Sequence, residues 1–212
     1  MSIAVAPDPA ETPRRTRMSG EDRRVALLAA ARTEFARHGF HGAGTAAIAR
    51  AADCSEAILY RHFRSKRELL AEVLRAEIGG RLADARALAP PPGVTPGPGA
   101  LPETLDARLA DGEIGVTARL ILLAISMSDD PEVGEAVRGA FLAVRAPLRG
   151  AVEAMQAAGA VRGDLDPEAV TWIWHGLFLA AAVRQAMAGD AAALGAVDAA
   201  RVLAGLLEPP AS

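Results

Sequence analysis

The sequence predicts an all-α protein, and three observations predict it. Alanine supplies 49 of 212 residues and aromatics only 4%. That composition favours the best helix former over the β-branched and aromatic residues that fill strands. No segment alternates apolar and polar residues at period two for long enough to make a strand. Asp-Pro-Glu occurs at 130–132 and again at 166–168. Each is a helix start, with Asp as N-cap and proline in the first turn.

The same residues exclude several classes. The formal net charge is -3, from 23 Lys+Arg against 26 Asp+Glu. This is no globally basic nucleic-acid coat. The charge is uneven, however: residues 1–76 hold 13 basic and 9 acidic side chains, and the rest hold 10 and 17. Only the front part is suited to face a polyanion. One cysteine excludes a disulfide framework and a cysteine-rich metal site. The longest apolar stretch, 172–183, is shorter than a membrane span and contains His175. No secretory leader is read at the start, and a cytoplasmic protein is expected.

Residues 1–19 carry three prolines and no periodicity. They read as a disordered arm ending in Arg14, Arg15 and Arg17, a solvated tail in preference to a minor-groove arm. The first helix is expected from about Glu21 to His38, with Leu28, Ala31 and Phe35 on one face and Leu27 beside them. Gly39 supplies its left-handed end. A second short helix runs from Gly44 or Thr45 to Ala52 and buries Ile48 and Ala49; Asp53-Cys54-Ser55 breaks it.

Ser55 caps a third helix, Glu56 to about Phe63. At 100° per residue with Glu56 at zero, Tyr60 falls at about 40°, Ala57 at about 100° and Arg61 at about 140°. Ile58, Leu59, His62 and Phe63 occupy the opposite side. Two short helices joined by a tight turn, the second with a polar outward face, are the parts of a helix-turn-helix. Ser65-Lys66-Arg67-Glu68 reads as a capping box opening a fourth helix, which carries Leu69, Leu70, Val73 and Leu74 to about Leu88. Arg61, Arg64, Lys66 and Arg67 gather at this corner, where basic side chains suit phosphates.

Residues 24–74 resemble the DNA-binding domain of TetR-type (TetR/AcrR) transcriptional regulators. The match rests on the Leu28/Phe35/Gly39-Phe40 frame, Thr45-x-x-Ile48-Ala49, Leu59-Tyr60-x-His62-Phe63, and Ser65-Lys66. The resemblance implies that Thr45, Tyr60 and Lys66 meet phosphates and that Ala46, Glu56, Ala57 and Arg61 face base edges. Ser55 and His62 complete the expected DNA-binding set, with a core or hinge role equally open for His62. The chain departs from the family pattern at Asp53-Cys54, where Gly-Val is usual, at Ala43-Gly44, and at Glu56. The Glu56 carboxylate repels phosphate but can accept from a cytosine amino group.

The expected domains are therefore the arm 1–19, a three-helix DNA-binding domain 20–66 with its helix-turn-helix at 44–63, and a helical effector-binding and dimerisation domain 67–212. Within the last, 89–102 holds six prolines and three glycines and reads as a linker. Further helices are expected at about 103–127, from Pro131, over 137–158 up to Gly159, from Pro167 to about Ala188 and on to Leu207. Val170, Ile173, Trp174, Leu177, Phe178 and Ala181 share one broad face of the 167–188 helix. The last two helices are apolar over more than one face, which predicts a two-fold interface between copies. Two reading helices set roughly 34–36 Å apart require a near-palindromic operator.

Arg119, Met127, Phe141, Trp174, His175 and Phe178 are the candidate effector-pocket residues. Core or dimer packing competes for each aromatic, and Arg119 reads as a buried charge needing Glu113, Asp129 or a ligand anion as partner. Cys54 reads as a small buried turn residue. No catalytic set, cofactor motif or metal-ligand spacing is present. The expectation is a homodimeric DNA-binding regulator, a repressor released by a small-molecule effector. The alternative is a helical small-molecule-binding protein without DNA binding, and an enzyme ranks last.

Overall fold

A computed structural model describes residues 18–87, 113–188 and 194–209. The arm 1–19 (apart from its last two residues), the 89–102 linker and the stop at Gly189-Asp190 lie outside the described residues. All eight described elements are helices: α1 Gly20–Gly42, α2 Thr45–Ala51, α3 Glu56–His62, α4 Lys66–Ala87, α5 Glu113–Ser126, α6 Pro131–Ala157, α7 Pro167–Ala188 and α8 Leu194–Leu207.

Helix α1 starts where Ser19 accepts from the Asp22 N–H at 3.0 Å. Its buried stripe is Leu27, Ala31 and Phe35, spaced four apart, and Leu28 is only partly buried. The expected frame is thus rotated by one residue: Leu27 is fully buried in the cluster that also holds Ile48 of α2 and Leu69, Leu70 and Val73 of α4. Gly39 has φ 65° and breaks the regular backbone before the last turn. A side chain is strained at that angle, so glycine is favoured.

Helices α2 and α3 bury Ile48, Ala49 and Leu59, and Phe63 seals the end of α3. The turn between them puts Asp53 at φ 54°, one of the few non-glycine types that tolerate it. Nothing in the local sequence marks what fixes this turn. The Arg23 guanidinium, reaching from α1, donates to the carbonyls of Ala52 at 2.6 Å and Asp53 at 2.9 Å. Charged donors to carbonyls contribute more than neutral ones. Arg23→Met should lower stability by roughly 1–2 kcal/mol, read as the shift of a denaturant melt. An unchanged midpoint would show the clamp to be idle.

One apolar cluster runs from α1–α4 into α5 and α6 through Leu120, Ala124, Val133, Ala136 and Val137. A second joins α5, α6, α7 and α8 around Ile114, Ala118, Met155, Val170, Trp174, Ala182 and Leu207. Asp130 caps α6 by accepting from the N–H groups of Glu132 (3.1 Å) and Val133 (3.2 Å). Its other oxygen meets Arg67 of α4 at 2.7 Å. The separate helices expected from Pro131 and over 137–158 are one continuous helix. Gly134 does not end it; this glycine lets α6 pass beneath the Ser128 carbonyl, where a Cβ would lie 2.2 Å from the oxygen.

On α7 the buried residues are Val170, Thr171, Trp174, Ala181, Ala182 and Gln185, and Ile173 is 54% exposed. Placing Ile173 on the packed face was therefore an error of about one residue in the helix's rotation. The α5 and α6 neighbours meet the Val170–Trp174 side instead.

Candidate functional site

The α3 face is built by anchoring its back. Leu59 and Phe63 are buried, and Ile58 and His62 are half-buried behind them. The Arg24 guanidinium lies 4.8 Å from the Phe63 ring centroid and also pairs with Glu72 of α4. Ser55 caps the helix by accepting from the Ile58 N–H at 3.4 Å. With that side fixed, Glu56, Ala57, Tyr60 and Arg61 are all exposed. The helical-wheel arithmetic placed these four together, and the structure does so too.

The face carries its own hydrogen-bond network. The Thr45 hydroxyl donates to the Glu56 carboxylate. The Tyr60 hydroxyl approaches Thr45 Oγ1 at 3.5 Å. Thr45, Glu56 and Tyr60 thus form one cluster joining the start of α2 to α3, and an anion arriving at Thr45 must displace Glu56. Ala46, beside Thr45, and Ser55 are both exposed.

The basic corner is less free than its charges suggest. Arg64 pairs with Glu68 at 3.2 Å and Arg67 with Asp130. The Lys66 ammonium sits 4.9 Å from the Phe40 ring centroid. Arg61 is exposed and has no ion-pair or hydrogen-bond partner among the described residues, so it is the cation most available on the face. Arg50, exposed at the end of α2, was not singled out from sequence although its charge was visible.

The Ser65 hydroxyl accepts from the Glu68 N–H at 3.0 Å, as a capping box requires. Glu68 reaches back to the Arg64 N–H rather than to that of Ser65. Partial burial alone would raise the Glu68 carboxyl, but the Arg64 N–H and guanidinium, with Arg24 beyond, hold it below the usual carboxylate range. Its ionised form therefore adds stability above the unfolded-state value, and this is lost as pH falls through the lower folded value. Glu68→Gln should reduce the acid sensitivity of the melt below about pH 4.5; an identical pH profile would contradict the pairing.

A small cavity of about 40 Å³, partly open to solvent, lies between α4, α5, α6 and α7. Phe141 and His175 line it, their rings 5.9 Å apart. The other four candidates do not. Trp174 is buried in the second cluster, and Phe178 and Met127 pack against the second and first. Arg119 is exposed and donates to the Ala186 carbonyl at 2.6 Å. It was expected to be buried and to need an acid; instead it meets the carbonyl end of α7, where a helix dipole favours a cation.

Sequence reasoning missed Glu77, Thr117 and the aliphatic wall of Leu74, Leu120, Ile121, Val137, Val144 and Leu179. One signal was present: Glu77 stands seven residues after Leu70 and three after Leu74, a carboxylate on the apolar stripe of α4.

The architecture is that of a helix-turn-helix head set on a helical, cavity-bearing body. Residues 27–73 match the family described as bacterial regulatory proteins, tetR family. The HTH-type transcriptional activator FasR of Mycolicibacterium smegmatis is 39% identical over 73 residues, 34% of this chain. That match spans 33% of FasR's length. Salmonella enterica GusR is 25% identical with a TM-score of 0.68, over 87% of this chain and 95% of that one. The reduced form of Escherichia coli NemR shares the fold at 16% identity, TM-score 0.73, over 90% of this chain and 100% of that one. The front part of this chain is thus similar to the DNA-binding domain of tetR-family regulatory proteins, and the whole described fold is similar to that of solved members. Among the described residues no helix is long and apolar enough to cross a membrane.

Proposed function

We propose that the chain is a homodimeric, cytoplasmic transcriptional regulator that binds a near-palindromic operator and is released from it by a small-molecule effector. The observation that carries this reading is the outward set Glu56, Ala57, Tyr60 and Arg61 on a helix whose opposite side is locked into the core. Phosphate contacts from Thr45, Tyr60, Lys66 and the α3 arginine position the head; base contacts from Ala46, Glu56, Ala57 and Arg61 specify the sequence. Ser55 and His62 border the same surface. The head comprises 20–66 and the effector and dimerisation body 67–212.

The dimer reading has its own support. Trp172, Ile173 and Met187 of α7 and Val202 and Leu206 of α8 are each more than half exposed. Large apolar side chains grouped on two helices favour a partner surface, and a second copy related by two-fold symmetry supplies one. The effector reading rests on the cavity that Phe141 and His175 line. Repression is the proposed sign of control, and activation is the second reading, favoured by the name that the Mycolicibacterium smegmatis relative carries.

Selection of bound duplexes from a random pool tests the proposal. It should enrich inverted half-sites about one helical turn apart. No enrichment would support the helical binding protein without DNA binding. Glu56→Gln should strengthen duplex binding by roughly fivefold, since one charge about 4 Å from a phosphate is worth about 1 kcal/mol in water. Weaker binding to every selected duplex would contradict the repulsive role of Glu56.

A further inference from the structure

We propose that the cavity between α4, α5, α6 and α7 takes an apolar molecule with a cationic head group, which captures Glu77 in exchange for Arg32. This deepens the effector reading above and rests on it. The cavity wall is mainly aliphatic, and Glu77 is the one acidic side chain among the described lining residues. One Glu77 oxygen accepts from Arg32 Nε of α1. The other accepts from the Thr117 hydroxyl of α5 at 2.9 Å. A single carboxylate therefore ties the first helix of the DNA-binding head to two walls of the cavity.

The chemistry of Glu77 selects the ligand. A carboxylate offers more acceptor positions than these two donors fill, so a head group entering the cavity must donate. An anionic head group is repelled. A neutral hydroxyl can add a bond but cannot replace the charge of Arg32. An ammonium can do both. The aliphatic wall then takes the apolar remainder.

Arg32 has somewhere to go. Its side chain is 24% exposed in the ion pair and also borders a solvent-open cleft between α1 and α5, beside Arg37 and Arg119. A displaced guanidinium is rehydrated there instead of being stranded in the core, which lowers the penalty of breaking the pair. Loss of the Arg32–Glu77 tie frees α1 from α4 on the side facing the cavity, so the ligand acts through a contact that differs between two states.

The test is calorimetric titration of the full chain at neutral pH with octylamine, octanol and octanoate. Octylamine should bind at least tenfold tighter than octanol, with octanoate weakest. Glu77→Gln should bring octylamine down to the level of octanol. Arg32→Met removes the competitor and should tighten octylamine several-fold, and this variant decides the matter should Glu77→Gln fail to fold. Equal binding of the three probes by the unmodified protein, or an unchanged octylamine affinity in Arg32→Met, overturns the exchange. Saturating octylamine should also weaken binding to a selected duplex; unaltered duplex affinity overturns the link to α1. A failure to select any duplex would instead defeat the regulator reading, while the three-probe comparison still decides the ligand class.

Discussion

Phe63→Ala should cost about 3–5 kcal/mol of stability and abolish duplex binding. Phe63 is 1% exposed and sits where α3 ends, packed in the cluster that unites α1–α4 with α5 and α6. Its removal leaves a cavity and deprives the Arg24 guanidinium of the ring it covers at 4.8 Å. The backbone N–H of Phe63 still closes α3 on the Leu59 carbonyl at 3.0 Å, so the helix can form but loses its seat. Phe63→Leu keeps most of the volume and should cost under about 1.5 kcal/mol. Chemical denaturation of the two variants checks this; equal losses would mean that the ring contributes through something other than packing.

Gly134→Ala should destabilise the protein by about 1–3 kcal/mol, although alanine is the better helix former. The added Cβ would lie 2.2 Å from the Ser128 carbonyl oxygen and 3.1 Å from its carbon. Backbone cannot turn aside as a long side chain can. The strain falls on the turn before α6, where Asp130 both caps that helix and pairs with Arg67. Gly139, five residues on, has nothing within 4 Å of a built Cβ, and Gly139→Ala should be neutral or slightly stabilising. Thermal melts of the pair give the comparison, and a stabilised Gly134→Ala would refute the close approach.

What the sequence made legible was local. Seven residues of α3 contain enough periodicity to separate Leu59 and Phe63 from Tyr60 and Arg61, and Asp130-Pro131 states a helix start by chemistry alone. What it hid was tertiary. Arg23 lies outside the apolar stripe of α1 in sequence, yet it clamps carbonyls some thirty residues away. Arg119 looked buried because its neighbours are apolar, but rotation about α5 places it outside, against the end of α7. The cavity needed four helices to meet before Glu77 and Thr117 could face the same space. Of the six residues picked for it, the two that line it, Phe141 and His175, come from different helices; no spacing within one element marks such a pair.

The central claim is that the exposed face of α3 meets a duplex, with Arg61 as its freest cation. The most direct measurement is the slope of log affinity against log salt for a selected duplex, in the unmodified chain and in Arg61→Ala. The unmodified chain should show a steep negative slope, about 0.9 for each phosphate neutralised, and Arg61→Ala should flatten it by about 1 if this arginine meets a phosphate or weaken one base position if it meets a base. A flat slope for the unmodified chain, or an Arg61→Ala variant with the same slope, affinity and base preference, would contradict the account.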